Sequence, residues 1–166
     1  MPTVLPVFRW ILLVVALVGA SAQAADRTAK TASDVIKTPL NKGVSLDDAV
    51  EAMKIRANNL NMKLVAEMPL SKQLQAMGEK SRRIDIYQFC DPMSAKKMVE
   101  ASVDFAAYLP CRIALVEDKD GKGWLVMANL DPLIASPALD AKLREDAKKV
   151  RDTLLEIMQA GAKGEW

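Results

Sequence analysis

The sequence predicts an α+β domain in which a mostly antiparallel sheet packs in two layers against helices. Short runs with strand-like alternation are interspersed with amphipathic helical stretches. The last two strand-like runs are joined by a short acidic and glycine-rich turn, which is typical of an antiparallel hairpin. A long helix with a continuous apolar stripe follows them. The length of 166 residues suits one ordinary domain and excludes large multidomain machinery.

The first 24 residues have the form of an export signal. A single charge, Arg9, precedes the apolar run 10–18, and small residues follow as far as Ala24. This order is typical of a secretory signal peptide. We therefore expect cleavage after Ala24, a location in the periplasm or outside the cell, and no stable membrane insertion after cleavage. A retained anchor is the alternative, since the mostly apolar stretch 4–20 is at the short limit for spanning a bilayer.

Residues 25–33 are small and polar and predict a mobile leader, so we expect one folded domain over residues 34–166. Val35 and Ile36 predict a first short strand. This strand ends before Pro39, because proline has no N–H group to donate to a sheet.

The first predicted helix has Ser45 as its N-cap and acidic residues in its first turn. Its apolar residues then recur at steps of three and four, which is the spacing of one helix face. Asparagines stop the helix. Residues 62–68 predict the next strand, with Leu64, Ala66 and Met68 on one face.

The middle of the domain predicts helix, strand and helix in turn. Residues 69–78 predict a short helix that a glycine closes. Residues 84–90 alternate as a strand does, and a proline ends their ability to pair. Residues 93–101 predict a helix, and residues 102–110 are irregular.

The hairpin and the last helix complete the domain. Residues 111–117 and 124–130 predict the two strands, and the acidic stretch 118–123 predicts the turn between them. This stretch resembles half of a calcium loop but lacks the later carboxylate ligand, so we interpret it as a turn. The last helix is predicted over 137–160, with Ser136 as its N-cap and proline in its first position.

Composition removes most familiar enzyme classes. The chain contains no histidine, and Ser–His and Cys–His dyads, histidine bases and the usual histidine-containing zinc sites all need an imidazole. The net charge is +2, and acidic residues stand beside the short basic runs, so we expect no nucleic-acid partner. No catalytic set is assembled in the sequence. We expect no cofactor and favour a function other than catalysis.

Two cysteines are the most distinctive side chains of the predicted domain. Cys90 and Cys111 stand at predicted strand ends beside Pro92 and Pro110. In a parallel pair of strands the two cysteines would be about 20 Å apart, whereas antiparallel strands bring such ends together. A disulfide needs Cα atoms within about 7 Å, so only antiparallel pairing permits one. In an exported protein we expect this bond, with a stabilisation of about 3.4 kcal/mol on the chain-entropy model.

Two alternatives to the disulfide stay open: a functional thiol pair, and two unpaired buried cysteines. A thiol pair would serve a redox partner or a soft-metal carrier, copper above all. The twenty residues between the cysteines lack the Cys-x-x-Cys spacing of redox sites. Of the methionines, only Met93 and Met98 stand near Cys90, and the metal alternative is therefore Cys90, Cys111 and Met93. Core packing explains the other methionines.

Aromatic residues concentrate around the two cysteine strands. They are Tyr87, Phe89, Phe105, Tyr108 and Trp124. They predict either ordinary core or the lining of a small apolar pocket. We expect an unknown small ligand or a protein partner to bind near the strand ends, where the candidate binding residues are Asp91, Pro92, Tyr108, Leu109 and Pro110.

The order of these residues resembles a bacterial and archaeal family known as domain of unknown function 302. The matching residues are Cys90-Asp91-Pro92, Ala95, Leu109-Pro110-Cys111, Glu117-Asp118 with Gly121, and Asp131-Pro132. The resemblance extends over about residues 35–133 and leaves the last helix outside. Asp91 replaces the usual asparagine. The resemblance implies a compact two-layer α+β fold that is sometimes a homodimer, and it implies no established activity.

Overall fold

The computed structural model describes residues 34–166, so the predicted signal peptide and leader lie outside the described residues and stay predictions. The strands are β1 (Val35–Pro39), β2 (Lys63–Met68), β3 (Ile84–Cys90), β4 (Cys111–Glu117) and β5 (Gly123–Ala128). They form one antiparallel sheet in the order β1-β5-β4-β3-β2. The helices are α1 (Leu46–Asn59), α2 (Leu70–Ala76), α3 (Pro92–Ala101), a 3-10 helix (Val103–Tyr108), α4 (Asp131–Ile134) and α5 (Ala141–Lys163). The predicted α+β class is confirmed.

One face of the sheet packs against α1 and α5, and we call it the covered face. Its buried strand side chains are Tyr87, Phe89, Ile113, Leu115, Leu125 and Met127. A Cβ atom on Gly161 of α5 would lie 2.5 Å from Cγ of Met53 and 3.0 Å from the carbonyl oxygen of Ala49, both on α1. The missing side chain therefore lets the two helices approach each other closely.

The other face, which we call the open face, carries the alternate side chains of each strand. The larger ones are Ile84, Ile86, Val116, Trp124 and Val126, all of them partly exposed. Strand residues alternate between faces, so one face of this sheet is buried against the helices and the other is in contact with solvent. None of the helices within residues 34–166 is both long and apolar enough to span a membrane.

Helix α1 begins as its sequence predicts. The backbone N–H of Asp48 donates to the Ser45 hydroxyl at 3.0 Å, and the Asp48 carboxylate accepts from the Ser45 backbone N–H. This reciprocal capping box satisfies two N–H groups that the first turn of a helix leaves without partners.

Strand β2 departs from the predicted face pattern. Leu64 pairs with Phe89, but Ala66 pairs with Gln88, so Val65 is an extra residue in a β-bulge. Leu64 therefore lies on the covered face and Ala66 on the open face. The prediction that Leu64, Ala66 and Met68 share one face is wrong, because one inserted residue reverses the alternation of all that follow.

The last helix begins later than predicted. Helix α5 starts at Ala141, where Asp140 is the N-cap and accepts from the Leu143 N–H at 2.8 Å. The Ser136 hydroxyl instead accepts from the Ala138 N–H in a turn. Arg144 donates to three backbone carbonyls of this connecting segment, those of Ile134, Ser136 and Leu139. Two of these acceptors, the carbonyls of Ser136 and Leu139, would accept helical N–H bonds in a helix that began at residue 137.

The start of β3 contains a buried polar cluster. Asp85 is only 2% exposed, and its carboxylate accepts from the Ser71 hydroxyl at 3.0 Å and from the Arg83 guanidinium. Arg83 also donates to Asp47 at 2.7 Å. Burial lowers the pKa of Arg83, but the hydrogen bonds to Asp47 and Asp85 outweigh it and raise the pKa overall. The cluster therefore joins α1 to the sheet through paired charges and α2 through the hydrogen bond of Ser71.

Candidate functional site

The two cysteines meet at one end of the sheet, since β3 and β4 are antiparallel. Cys90 is the last residue of β3, Cys111 is the first of β4, and the residue directly opposite Cys111 is Phe89. The disulfide predicted between the cysteines is not present, and both are free thiols. Cys90 lies one residue beyond the partner of Cys111, and successive side chains of a strand point to opposite sides.

Both cysteines nevertheless border one cavity, which we call the thiol cavity. Its walls come from the end of β3, α3, the 3-10 helix, the start of β4, α4 and α5. The cavity has a volume of about 50 Å³ and is partly open to solvent. The larger apolar side chains around it are Met98, Phe105, Leu130, Leu133, Ile134 and Val150. Five separate elements after β3 thus surround a space that no side chain fills.

Asp91 and Ser94 are polar residues of the cavity wall, and they bind each other. Asp91 is the N-cap of α3 and accepts from the Met93 N–H at 3.0 Å and the Ser94 N–H at 3.4 Å. The Ser94 hydroxyl donates to the same carboxylate at 2.7 Å. The Asp91 carboxylate is therefore engaged in starting the helix.

The structure brings some of the predicted binding residues together and separates others. Asp91, Tyr108 and Leu109 line the thiol cavity with the two cysteines. Pro92 is not part of its lining and occupies the first position of α3. Pro110, after a cis peptide bond, lies in a groove on the open face.

The structure also separates the residues that were predicted as an alternative metal site, Cys90, Cys111 and Met93. Met93 is 65% exposed and lies in a different groove. Met98 is 8% exposed and lines the cavity beside the two thiols. Among residues 34–166, no group of three or more cysteine or carboxylate side chains is placed to hold a metal ion.

Both thiols are weaker acids than free cysteine. Burial, followed by the nearby charge of an ionised Cys90, raises the pKa of the Cys111 thiol to about 11. Burial, followed by the Asp91 carboxylate, also raises the pKa of Cys90. The thiolate is the nucleophilic form of cysteine, so neither side chain is activated at neutral pH.

Several wall residues were not among the predicted site residues. Met98, Leu133 and Ile134 line the cavity. The last two belong to α4, a helix that the sequence pattern did not predict. The signal for α4 was an aspartate and a proline followed by apolar residues, which is a helix start as well as a strand end. No local pattern, however, predicts that α4 would line the same cavity as the two cysteines.

The comparisons with known proteins agree on the fold. The sequence profile of the family described as Domain of unknown function DUF302 matches residues 36–161, so the match extends through most of α5, beyond the expected end near residue 133. The crystal structure of an uncharacterized conserved protein DUF302 from Bacillus stearothermophilus is similar, with a TM-score of 0.65 and 17% sequence identity. The similarity covers 78% of this chain and 98% of that one. No curated protein matches the chain.

Proposed function

We propose that this chain, which belongs to the DUF302 family, binds a small apolar ligand in the thiol cavity and catalyses no reaction there. The family name assigns no activity, so the proposal depends on the site itself. The predicted export signal would place this binding in the periplasm or outside the cell.

The observation that carries the proposal is the unfilled apolar space between Phe105, Leu133 and Val150. Protein interiors are packed as densely as organic crystals, and an unfilled space reduces stability. Small-molecule sites are typically concave and mostly apolar. Because the polar Asp91 and Ser94 already bond to each other, a ligand here gains contacts chiefly by burying apolar surface.

The thiols support binding rather than thiol chemistry. With raised pKa values, Cys90 and Cys111 stay protonated at neutral pH. A protonated buried cysteine behaves as a small, polarizable apolar group. We therefore assign both side chains to the lining of the binding site.

Xenon, a small apolar probe whose binding is followed by xenon NMR, tests the proposal. We expect saturable binding with one molecule per protein. Ala95→Leu adds three heavy atoms to the cavity wall and should weaken binding at least about tenfold, because it fills the space that the probe needs. Ala101→Leu on the same helix is the matched control, since Ala101 is exposed and outside the wall.

Two results would contradict the proposal. One is the absence of a saturable change in the xenon chemical shift with folded wild-type protein. The other is equal binding by Ala95→Leu and Ala101→Leu, which would place the bound xenon elsewhere in the protein. Circular dichroism of both variants verifies that they fold.

A second candidate function is soft-metal binding, favoured by three sulfur atoms on one cavity. Cys90, Cys111 and Met98 would hold Cu(I), and the two thiols would release two protons as they bind the metal. Competition with a coloured Cu(I) chelator measures the affinity. Met98→Leu should weaken binding and Met93→Leu should not; equal affinity of both variants, or no binding at all, would remove this candidate.

A further inference from the structure

The open face of the sheet carries apolar side chains that the core does not use. Ile84, Ile86, Val116, Trp124 and Val126 lie there on β3, β4 and β5, and we call them the open-face patch. Val116 pairs with Ile84 on one side and with Trp124 on the other, so the patch is continuous across three strands. None of the five residues belongs to the packed core, and all are partly exposed. An apolar patch in contact with water often marks a binding surface.

Three exposed cations border the open-face patch. Arg112 lines a groove of about 310 Å³ with Val126. Lys37 lines a second groove, of about 230 Å³, with Val126 and Trp124. The Nζ atom of Lys122 lies 4.5 Å from the centroid of the Trp124 ring, which is a cation–π contact. The three cations come from β4, β1 and the hairpin turn, so they border the patch on different sides.

The strands present no carboxylate on the open face to balance these cations. Within residues 34–166, every strand side chain that alternates to this face is apolar, neutral and polar, or basic. The strand carboxylates, those of Glu67, Asp85 and Glu117, alternate to the covered face. None of the three cations forms an ion pair with another described residue. The open face therefore combines an apolar centre with unpaired positive charge.

The carboxylate that contacts the patch is Asp118 of the hairpin turn, and its oxygens are engaged. One oxygen accepts from the Trp124 indole N–H at 2.7 Å, and the other accepts from the backbone N–H groups of Asp120 and Lys122 at 2.9 and 3.0 Å. These bonds fix the indole against the turn. Residues 118–122 contain two acidic and two basic side chains, so the excess positive charge of the open face comes from Arg112 and Lys37.

Unpaired lysines on the helix side have different surroundings. Lys142 and Lys149 of α5 are exposed and form no ion pair with another described residue. Asp146 follows Lys142 by four positions, and Glu145 precedes Lys149 by four, so each lysine has a carboxylate neighbour on its side of the helix. Apolar surface without neighbouring carboxylates is thus a property of the open face and not of these lysines.

We propose that the open face is a docking surface for an anionic lipid bilayer. The open-face patch meets the acyl chains at the headgroup boundary, and Lys37, Arg112 and Lys122 meet the lipid phosphates. Tryptophan is enriched at membrane–water interfaces, and anionic lipids attract lysine and arginine. The apolar stems of these cations can lie along the patch while their charges reach the headgroups. The proposal concerns a surface other than the thiol cavity and does not depend on the ligand proposed above.

Two other occupants suit the open face less well. A second copy of the chain would bring two positively charged faces together, and like charges across an interface repel. A protein partner of other sequence would typically meet an interface depleted in lysine, whereas two of the three cations here are lysines. A bilayer surface attracts lysine and arginine alike.

Sedimentation with lipid vesicles tests the proposal on the chain that begins at Ala25. Residues 32–166 form one compact unit that contains the whole sheet and its core, so this chain keeps the domain and lacks the apolar run 10–18. We expect binding to vesicles of equal parts phosphatidylcholine and phosphatidylglycerol, and at least about tenfold weaker binding to phosphatidylcholine alone. Added salt should weaken the binding, because it screens exposed charges.

The fluorescence of Trp124 reports whether the open face is the surface in contact. In a Trp166→Phe background, Trp124 is the one tryptophan of the chain from Ala25 onward. Anionic vesicles should shift its emission to shorter wavelength, and lipids with brominated acyl chains should quench it. Vesicle binding without either change at Trp124 would contradict docking through the open face.

Charge variants identify the side chains responsible. Arg112→Gln and Lys37→Gln should each weaken binding to the anionic vesicles about fivefold, the effect of one cation near such a surface. Lys149→Gln is the matched control, because it removes the same charge from an exposed, unpaired lysine on α5, and it should leave the binding unchanged.

Three further results would overturn the proposal. One is the absence of sedimentation with anionic vesicles at low salt, with folding verified by circular dichroism. Another is equal weakening by Lys149→Gln and Arg112→Gln, which would show that binding follows net charge and uses no particular face. The third is a dimer that shields Trp124 without vesicles, measured by sedimentation equilibrium, which would assign the open face to a second copy of the chain.

Discussion

At one end of β3 the buried Asp85 carboxylate accepts hydrogen bonds from Ser71 and Arg83, and at the other end Cys90 borders an apolar cavity. The first end has a buried charge with a partner for each carboxylate oxygen. The second has apolar walls around unfilled space. Buried charges are tolerated only when they are paired, so the first arrangement holds the fold together. Unfilled space contributes no contacts, so the second arrangement is the part of the domain available for a ligand.

The largest expected effect is at the Asp85 end. Asp85→Ala should reduce the free energy of unfolding by about 3 kcal/mol, because it removes the buried acceptor of the Ser71 hydroxyl and one of the two carboxylate partners of Arg83. Urea denaturation measures the change. Asp120→Ala removes an exposed ion pair with Lys119 and serves as the control, with little change expected. Equal stability of the two variants would contradict the structural role of the Asp85 cluster.

A smaller effect is expected where the cavity meets the core. Met98→Ala should destabilise the fold by about 2 kcal/mol, at the lower end for such truncations, because the side chain already adjoins empty space. Met93→Ala truncates the same residue type at a site that is 65% exposed and should leave the unfolding midpoint almost unchanged. A cost at Met98 no larger than that at Met93 would show that the cavity wall is not ordered.

The raised thiol pKa predicts a dependence of stability on alkaline pH. The pKa of Cys111 rises from 9.0 to about 11 on burial, so the folded protein holds this proton where the unfolded chain has lost it. Stability contributed by the neutral thiol is full below the unfolded pKa and is lost as pH rises toward the folded one. Over the first pH unit above 9.0 the loss should be about 1 kcal/mol.

Cys111→Ala lacks this titration and is the comparison. The difference in unfolding free energy between wild type and variant should shift by that amount in favour of the variant as pH rises. Parallel pH profiles of the two proteins would mean that the Cys111 thiol is as accessible to water in the folded state as in the unfolded state.

The smallest effect is expected from Asp91→Asn. Asparagine caps helices about as well as aspartate, so the unfolding midpoint should hardly change. Removing the carboxylate charge should lower the pKa of Cys90, which Asp91 raises, and so speed alkylation of Cys90 near neutral pH. Peptide mass spectrometry distinguishes Cys90 from Cys111. Asp91→Ala is the control, since it removes both the charge and the cap and should also destabilise α3.

Local sequence patterns predicted most of the secondary structure. Ser45 caps α1 as expected, residues 84–90 and 111–117 form β3 and β4, and the glycine-rich turn joins the hairpin. These features depend on interactions between residues a few positions apart, so the local sequence pattern is enough to predict them. The pairing direction of the cysteine strands was left open, because the twenty residues between them permit either direction, and the structure shows that it is antiparallel.

By itself, the sequence determined the α+β class, the family pattern and the strand ends at which the two cysteines stand. Only the tertiary structure decided that Val65 bulges, that α5 starts at Ala141, and that the thiols stay unbonded around a cavity. The bulge and the cavity depend on residues far apart in the chain, such as the paired strands β2 and β3 or the α4 and α5 residues that line the cavity with the cysteines. The start of α5 depends on the bonds of Arg144 to the connecting carbonyls. Spacing along the sequence records periodicity, whereas the register of strands and the space between elements arise only when all the layers pack together.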